Sequence, residues 1–248
     1  MAGMNDQPPY PRCCSTPLDH WPLPEALTGV RLLSTSFDPA QLDPEDFDRW
    51  GIPAQKGVSK RQAEFLAGRL CALEALRGLT GKPFVPPVGE DRAPQWPQGV
   101  VGSITHSAGW AGVVAGHREH WAGLGLDIER VMTPERADRL ANEILAPSEL
   151  ESYALLSLSE RAELVTRSFS LKESLFKALY PLVRQRFYFQ DAAVAEVTQH
   201  GTARLRLLID LPGGWRKGTE LDGQFATFDG YLLSLVSIPA RLSLVASV

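Results

Sequence analysis

The sequence is short of cysteine, short of net charge and without a long apolar run. Its three cysteines, Cys13, Cys14 and Cys71, are too few and too unevenly spaced for a disulfide framework or a zinc site. That points to a reducing compartment, by default the cytoplasm. No stretch of about 18 apolar residues occurs, so no membrane-spanning helix is expected. The first twenty residues carry Pro8, Pro9, Pro11 and Pro17 where a signal peptide would be continuously apolar. A formal net charge of −4 and a pI near 5.8 exclude the broad basic field of a general nucleic-acid binder. Any phosphate site must therefore be built locally.

What is present is a chain of 248 residues, 44% of them hydrophobic, enough for one large core or two modest ones. After an irregular, proline-rich lead-in over 1–28, a first strand is expected at 30–37, then a short helix opened by Asp43, Pro44 and Glu45. Ser59 and Gln62 have the spacing of a capping box ahead of Phe65, Leu66, Leu70, Leu73 and Leu76 at helical intervals, and Gly78 or Gly81 ends that helix. Five prolines between 82 and 98 predict an extended loop. Strands are expected at 100–106, 110–116 and 122–129, the first two joined as a hairpin at Ser107, Ala108 and Gly109. Thr133 and Pro134 start a helix to about 145, and Pro147 restarts one. The longest helical pattern runs from Ser159 to Tyr180, stopped by Pro181. Strands at 186–197, 203–210 and 230–238 complete an α+β pattern in which each half has one long helix and a few strands.

Three constellations carry chemistry. In Gly125-Leu126-Asp127-Ile128-Glu129 a strand sends both acids to one face, about 6.5 Å apart, and Leu126 and Ile128 to the other. Hard oxygens so placed suit Mg²⁺, although an exposed acidic pair at a strand end has the same appearance. A third acid lies in the segment Phe169 to Lys177, where Lys172 and Glu173 border the buried face of the long helix. There Glu173 and Lys177 also have the spacing of an ordinary i,i+4 pair. In Gln95 to Ser107, Gly99 and Gly102 admit a ligand close to the backbone, and Ser103, Thr105, His106 and Ser107 supply polar groups for a diphosphate. Arg61, Arg69 and Arg92 add guanidinium forks suited to phosphate, with solvated helix arginines as the plain alternative.

Taken together, the basic helix with Arg61 and Gly68-Arg69, the Trp96-Pro97-Gln98-Gly99 and Thr105-His106-Ser107 segments, Gly125-Leu126-Asp127-Ile128-Glu129 and Lys172-Glu173-Ser174 strongly resemble the 4′-phosphopantetheinyl transferase superfamily. The likeness is to the enterobactin-synthetase-component branch of its large, surfactin-type class, and it spans about residues 59–180. Phe169 stands where many relatives have tryptophan and Thr105 where many have serine. The resemblance implies two similar α+β halves in a pseudo-twofold arrangement, 1–121 and 122–248, with the active site in the cleft between them. It implies that Asp127, Glu129 and Glu173 bind Mg²⁺. Arg61, Arg69 and Arg92 would hold the coenzyme A nucleotide, with Thr105 and His106 near the diphosphate and Lys172 and Lys177 on the phosphates. Asp127, His106, Lys172 and Glu173 form the expected catalytic set, Glu173 as general base. The implied partners are coenzyme A and an apo acyl or peptidyl carrier protein, served by a monomer. Ala141 to Leu156 is either a docking helix for that carrier or core. A metal-dependent phosphohydrolase and a noncatalytic nucleotide-binding module are the competing readings.

Overall fold

A computed structural model describes residues 8–240, so the start of the expected lead-in and the last residues of the C-terminal half lie outside the described residues. Among the described residues the protein is a mixed α+β structure with two antiparallel sheets and five α-helices. The first sheet takes β1 (Leu18–Asp19), β2 (Val30–Ser36), β3 (Val100–Ser107) and β4 (Trp110–His117) in the order β1-β2-β4-β3. Between β2 and β3 come α1 (Glu45–Arg49) and the long α2 (Ser59–Thr80). Small side chains let α2 lie close to its sheet: Cys71, Ala72, Ala75 and Leu76 pack on Leu33, Val113 and Ala115. Ala108 and Gly109 both take positive φ, 42° and 90°, forming the two-residue turn whose twist matches the flanking strands β3 and β4.

The second sheet begins with β5 (Trp121–Arg130), continues after α3 (Pro134–Ile144), α4 (Pro147–Tyr153) and α5 (Leu158–Val183) with β6 (Ala192–Val197), β7 (Thr202–Leu207), β8 (Glu220–Phe228) and β9 (Tyr231–Pro239), and has the order β5-β9-β8-β7-β6. Leu171, Leu175, Ala178 and Leu179 of α5 bury against Leu205, Leu207, Val236 and Ile238. The edge strands β3 and β5 meet through side-chain bonds to backbone: Ile128 N–H donates to Thr105 Oγ1 at 3.1 Å and Ser103 Oγ donates to the Leu126 carbonyl at 3.4 Å. Tyr231 Oη, from β9, donates to the Ala108 carbonyl at the hairpin tip at 2.6 Å. A shared apolar layer of Val101, Val114, Leu124, Leu126, Leu233 and Leu235 lies between the two sheets.

Several local expectations give way to tertiary forces. The capping box at Ser59 does not form: Ser59 is already helical, Val58 occupies the cap position, and the Gln62 amide donates to the Gln55 carbonyl at 2.9 Å instead. Pro181 does not stop α5, which runs on to Val183 because Ala178, Leu179 and Val183 hold its last turns in the core. The strand expected from 186 starts only at Ala192, since Asp191 Oδ2 accepts the Tyr188 N–H at 2.7 Å and tightens 189–191 into a 3-10 turn. Strand β8 was not expected at all. Ile144 and Leu145 are core against α5, so that part of the 141–156 segment is not a free docking face.

Candidate active site

The site depends on how closely α5 lies on β5. A Cβ at Gly125 would stand 1.9 Å from the Ser174 carbonyl oxygen, and one at Gly123 would stand 2.2 Å from that of Ala178. Only glycine lets the helix backbone rest there, and the contact fixes the α5 residues beside the acids of β5. Asp127, 5% exposed, has both carboxylate oxygens engaged: Lys177 Nζ donates to Oδ1 at 2.7 Å and Ser170 Oγ donates to Oδ2 at 2.9 Å. Lys177 also donates to the Leu126 carbonyl at 3.0 Å.

Glu129 and Glu173 complete an acidic group under mutual strain. Burial, then the charges of Asp127 and Glu173, push the Glu129 carboxyl up to about 7 despite Arg136 and Lys177. Burial likewise raises Glu173, with Lys177 opposing and Asp127 adding to the shift. Three hard-oxygen acids that disfavour one another's charge, with an ammonium already seated on one of them, fit a divalent cation chemically. No three acidic, imidazole or thiol groups among the described residues stand in ready-made ligand geometry, and Lys177 occupies Asp127 Oδ1. The three acids act on one another's charge without forming a ready-made cation site among the described residues.

A cleft of about 680 Å³ runs beside Glu173, between the 91–96 loop with β3 and the outer face of α5. Glu173, Lys177 and Arg92 line it, joined by Arg118, Arg184 and Arg186, three cations that no sequence pattern singled out. Arg92 sits on a left-handed backbone, φ 68°, and neighbouring Asp91 accepts from Arg184 at 3.1 Å, tying the loop to the end of α5. Phe176 and Glu173 also border a smaller cavity of about 200 Å³ lined by Phe187 and Phe189.

The remaining expected residues divide into two groups. Arg61 is exposed, while Arg69 is buried at 6% exposure, stacked 4.6 Å over Phe65, with its Nε lacking a partner and its pKa lowered to about 10 by burial. His106 is half-exposed, its Nδ1 3.7 Å from Glu64 Oε2; partial burial lowers its pKa, against the raising effect of Glu64.

Two expectations need correction. Thr105 is buried, and its hydroxyl is taken up as the acceptor that joins β3 to β5, so it holds the acidic strand in place. The Lys172 ammonium is already taken up inside the fold: it is 3% exposed and donates to Glu149 Oε2 at 2.6 Å and to the Ile144 carbonyl at 2.7 Å. Glu149 itself accepts from the Ala146 N–H and from Ser168 Oγ, so the pair pins the start of α4 to α5. Glu149 was missed because nothing local marks it; its lysine lies far along the chain.

Comparison with known proteins gives the family. The family model of the 4′-phosphopantetheinyl transferase N-terminal domain matches residues 52–116, and that of the 4′-phosphopantetheinyl transferase superfamily matches 123–236. The 4′-phosphopantetheinyl transferase Svp of Streptomyces mobaraensis is 35% identical over 75% of this chain and 75% of its own length. The chain belongs to the 4′-phosphopantetheinyl transferase superfamily. Enterobactin synthase component D of Salmonella typhi is 38% identical over 64% of this chain and 65% of its own. A solved holo-[acyl-carrier-protein] synthase of Thermotoga maritima is 24% identical, with a TM-score of 0.36, over 48% of this chain and 63% of its own. By its family the protein is a phosphopantetheinyl transferase, an enzyme that moves phosphopantetheine from coenzyme A to carrier proteins. No helix of the described residues is long and apolar enough to cross a membrane.

Proposed function

We propose that this transferase binds coenzyme A along the cleft between its halves, 1–121 and 122–248, and acts as a cytoplasmic monomer on apo acyl or peptidyl carrier proteins, without nucleic-acid or membrane partners. A carrier serine Oγ forms a bond to the β-phosphorus of coenzyme A. The bond from that phosphorus to the bridging oxygen breaks, and its electron pair leaves with adenosine 3′,5′-bisphosphate.

Asp127, Glu129 and Glu173 are the residues that would hold Mg²⁺, which when bound offsets the charge of the diphosphate. Glu173, on the cleft wall, accepts the serine proton; its raised affinity for protons suits a general base. Lys177 supplies positive charge to the phosphates from the same wall. Arg61, Arg69 and Arg92 hold the nucleotide, Arg69, whose buried Nε lacks a partner, taking the 3′-phosphate. His106 lies toward the diphosphate, Thr105 fixes β5, and Lys172 supports the site through Glu149.

The observation that carries this reading is the helix–strand contact at Gly125, which sets Glu173 and Lys177 beside Asp127. Its test is Glu173→Gln, assayed with coenzyme A and apo-carrier protein by intact mass. Loss of a general base lowers turnover by about a hundredfold or more; near-normal turnover refutes the assignment.

A further inference from the structure

Beneath Asp127 lies a chain of serine hydroxyls that none of the acidic motifs explains. Ser170 and Ser174 of α5 and Ser234 of β9 are all fully buried. Ser234 stands directly opposite Asp127 in the β5–β9 ladder. Ser170 Oγ lies 2.9 Å from Asp127 Oδ2 and 2.8 Å from Ser234 Oγ; Ser234 Oγ lies 2.8 Å from Ser174 Oγ, which is 3.0 Å from the Ser234 carbonyl.

The hydrogens can be assigned by counting. Each hydroxyl has one proton, and a carboxylate oxygen only accepts, so the Ser170 proton goes to Asp127. Ser174 gives its one proton to the Ser234 carbonyl, which leaves the Ser234 proton for Ser170 or Ser174. Asp127 Oδ2 is thus held by a bond donated from Ser170, whose hydroxyl is in turn in contact with Ser234.

Packing does not require this arrangement. A hydroxyl on a buried helix ordinarily turns back to its own backbone, as Thr166 does in donating to the Ala162 carbonyl at 2.7 Å. Ser170 and Ser174 reach out of their helix to β5 and β9 instead.

We infer that Ser170, Ser234 and Ser174 are positioning residues that fix Asp127 Oδ2 and thereby present Oδ1 to the cation, an inference that rests on the proposed Mg²⁺ role of Asp127. With Oδ2 held by Ser170 and Oδ1 by Lys177, the carboxylate is restrained at both oxygens. Its free lone pairs stay on the side where Lys177 now donates to Oδ1. Outer groups that orient a metal ligand typically change metal affinity by about ten- to a hundredfold.

The test uses Mn²⁺ as probe, titrated into the full-length protein without coenzyme A and followed by electron paramagnetic resonance of the free ion, beside thermal unfolding. Ser170→Ala should weaken Mn²⁺ binding about tenfold, Ser234→Ala should weaken it less, and Ser170→Thr, which keeps the hydroxyl, should restore it. In an Asp127→Asn background, Ser170→Ala should have no further effect on Mn²⁺. Unchanged Mn²⁺ affinity in Ser170→Ala, or an equal loss in the Asp127→Asn background, overturns the inference while leaving the metal reading intact. Failure of the unaltered protein to bind Mn²⁺, or unchanged affinity in Asp127→Asn, overturns the metal reading itself and the inference with it.

Discussion

Replacing Gly125 by alanine tests the helix–strand contact on which the site is built. The new Cβ would stand 1.9 Å from the Ser174 carbonyl oxygen and 2.6 Å from the Ala178 nitrogen, both backbone atoms that no rotamer change can move. Ordinary contact begins at 3.4 Å, so α5 must retreat by roughly 1.5 Å. Such overpacking costs about 1–3 kcal/mol, and the rigidity of the obstacle puts this case at the upper end. At about 2–4 °C per kcal/mol for a domain of this size, the melting temperature should fall by about 6–12 °C. The same retreat carries Glu173 and Lys177 away from Asp127, and a displacement of about 1 Å at a reacting centre costs about a hundredfold in rate. Gly81→Ala is the control: it has φ 73° and nothing within 4 Å, so it should cost only about 1–2 kcal/mol and leave turnover unchanged. Differential scanning fluorimetry and a carrier-protein transfer assay read both quantities. A Gly125→Ala protein that melts within 2 °C of the parent, by about the resolution expected for a neutral change, and transfers at the parental rate would falsify the reasoning.

Other expectations follow from the same contacts. Because the Glu129 carboxyl is raised to about 7 in the fold, its favourable contribution is full below its unfolded value and is lost as pH rises through about 7. At about 1.36 kcal/mol per unit this is at most about 3 kcal/mol, and about half that after solvent screening of a partly exposed group. Glu129→Gln should therefore flatten the stability profile between about pH 5 and 8 in urea unfolding with EDTA; a profile as steep as the parent's contradicts the assignment. Lys172→Met leaves Glu149 buried without its cation and should destabilise by about 3–5 kcal/mol, much of it recovered in Lys172→Met with Glu149→Leu; additive losses in urea titrations would rule out the pairing as the cause. Arg69→Leu should raise the KM for coenzyme A about tenfold or more while abolishing discrimination against 3′-dephospho-coenzyme A, with no loss of melting temperature; retained discrimination would move the 3′-phosphate elsewhere.

Much of this was legible in the sequence wherever the pattern is local. The β3–β4 hairpin follows from two apolar runs around Ala108 and Gly109, and the shared face of Asp127 and Glu129 follows from strand alternation. Strand β8 was hidden because Asp222, Gly223 and Gln224 interrupt its apolar pattern. The structure shows why they are tolerated: Gly223 packs against Leu205 and Leu171, and the Gln224 amide bonds the Glu25 backbone. The helix start at Ser59 holds but its capping box does not form, and the stop at Pro181 was misread because core packing carries α5 on to Val183. The largest omissions are partners distant in sequence, Glu149 for Lys172 and Ser234 for Ser170. A cue was available in the three serines Ser168, Ser170 and Ser174, spaced within one stretch of a helix whose inner face is otherwise apolar.

The central claim is that this chain transfers a phosphopantetheine arm from coenzyme A with the acids of β5 and α5. It is tested most directly by intact mass spectrometry of an apo-carrier protein incubated with the enzyme, coenzyme A and Mg²⁺, beside an EDTA control. The account predicts a mass gain of one phosphopantetheine on the carrier serine, lost with EDTA and in Glu173→Gln. Coenzyme A cleaved at the same rate without carrier, leaving the carrier unmodified, would contradict it.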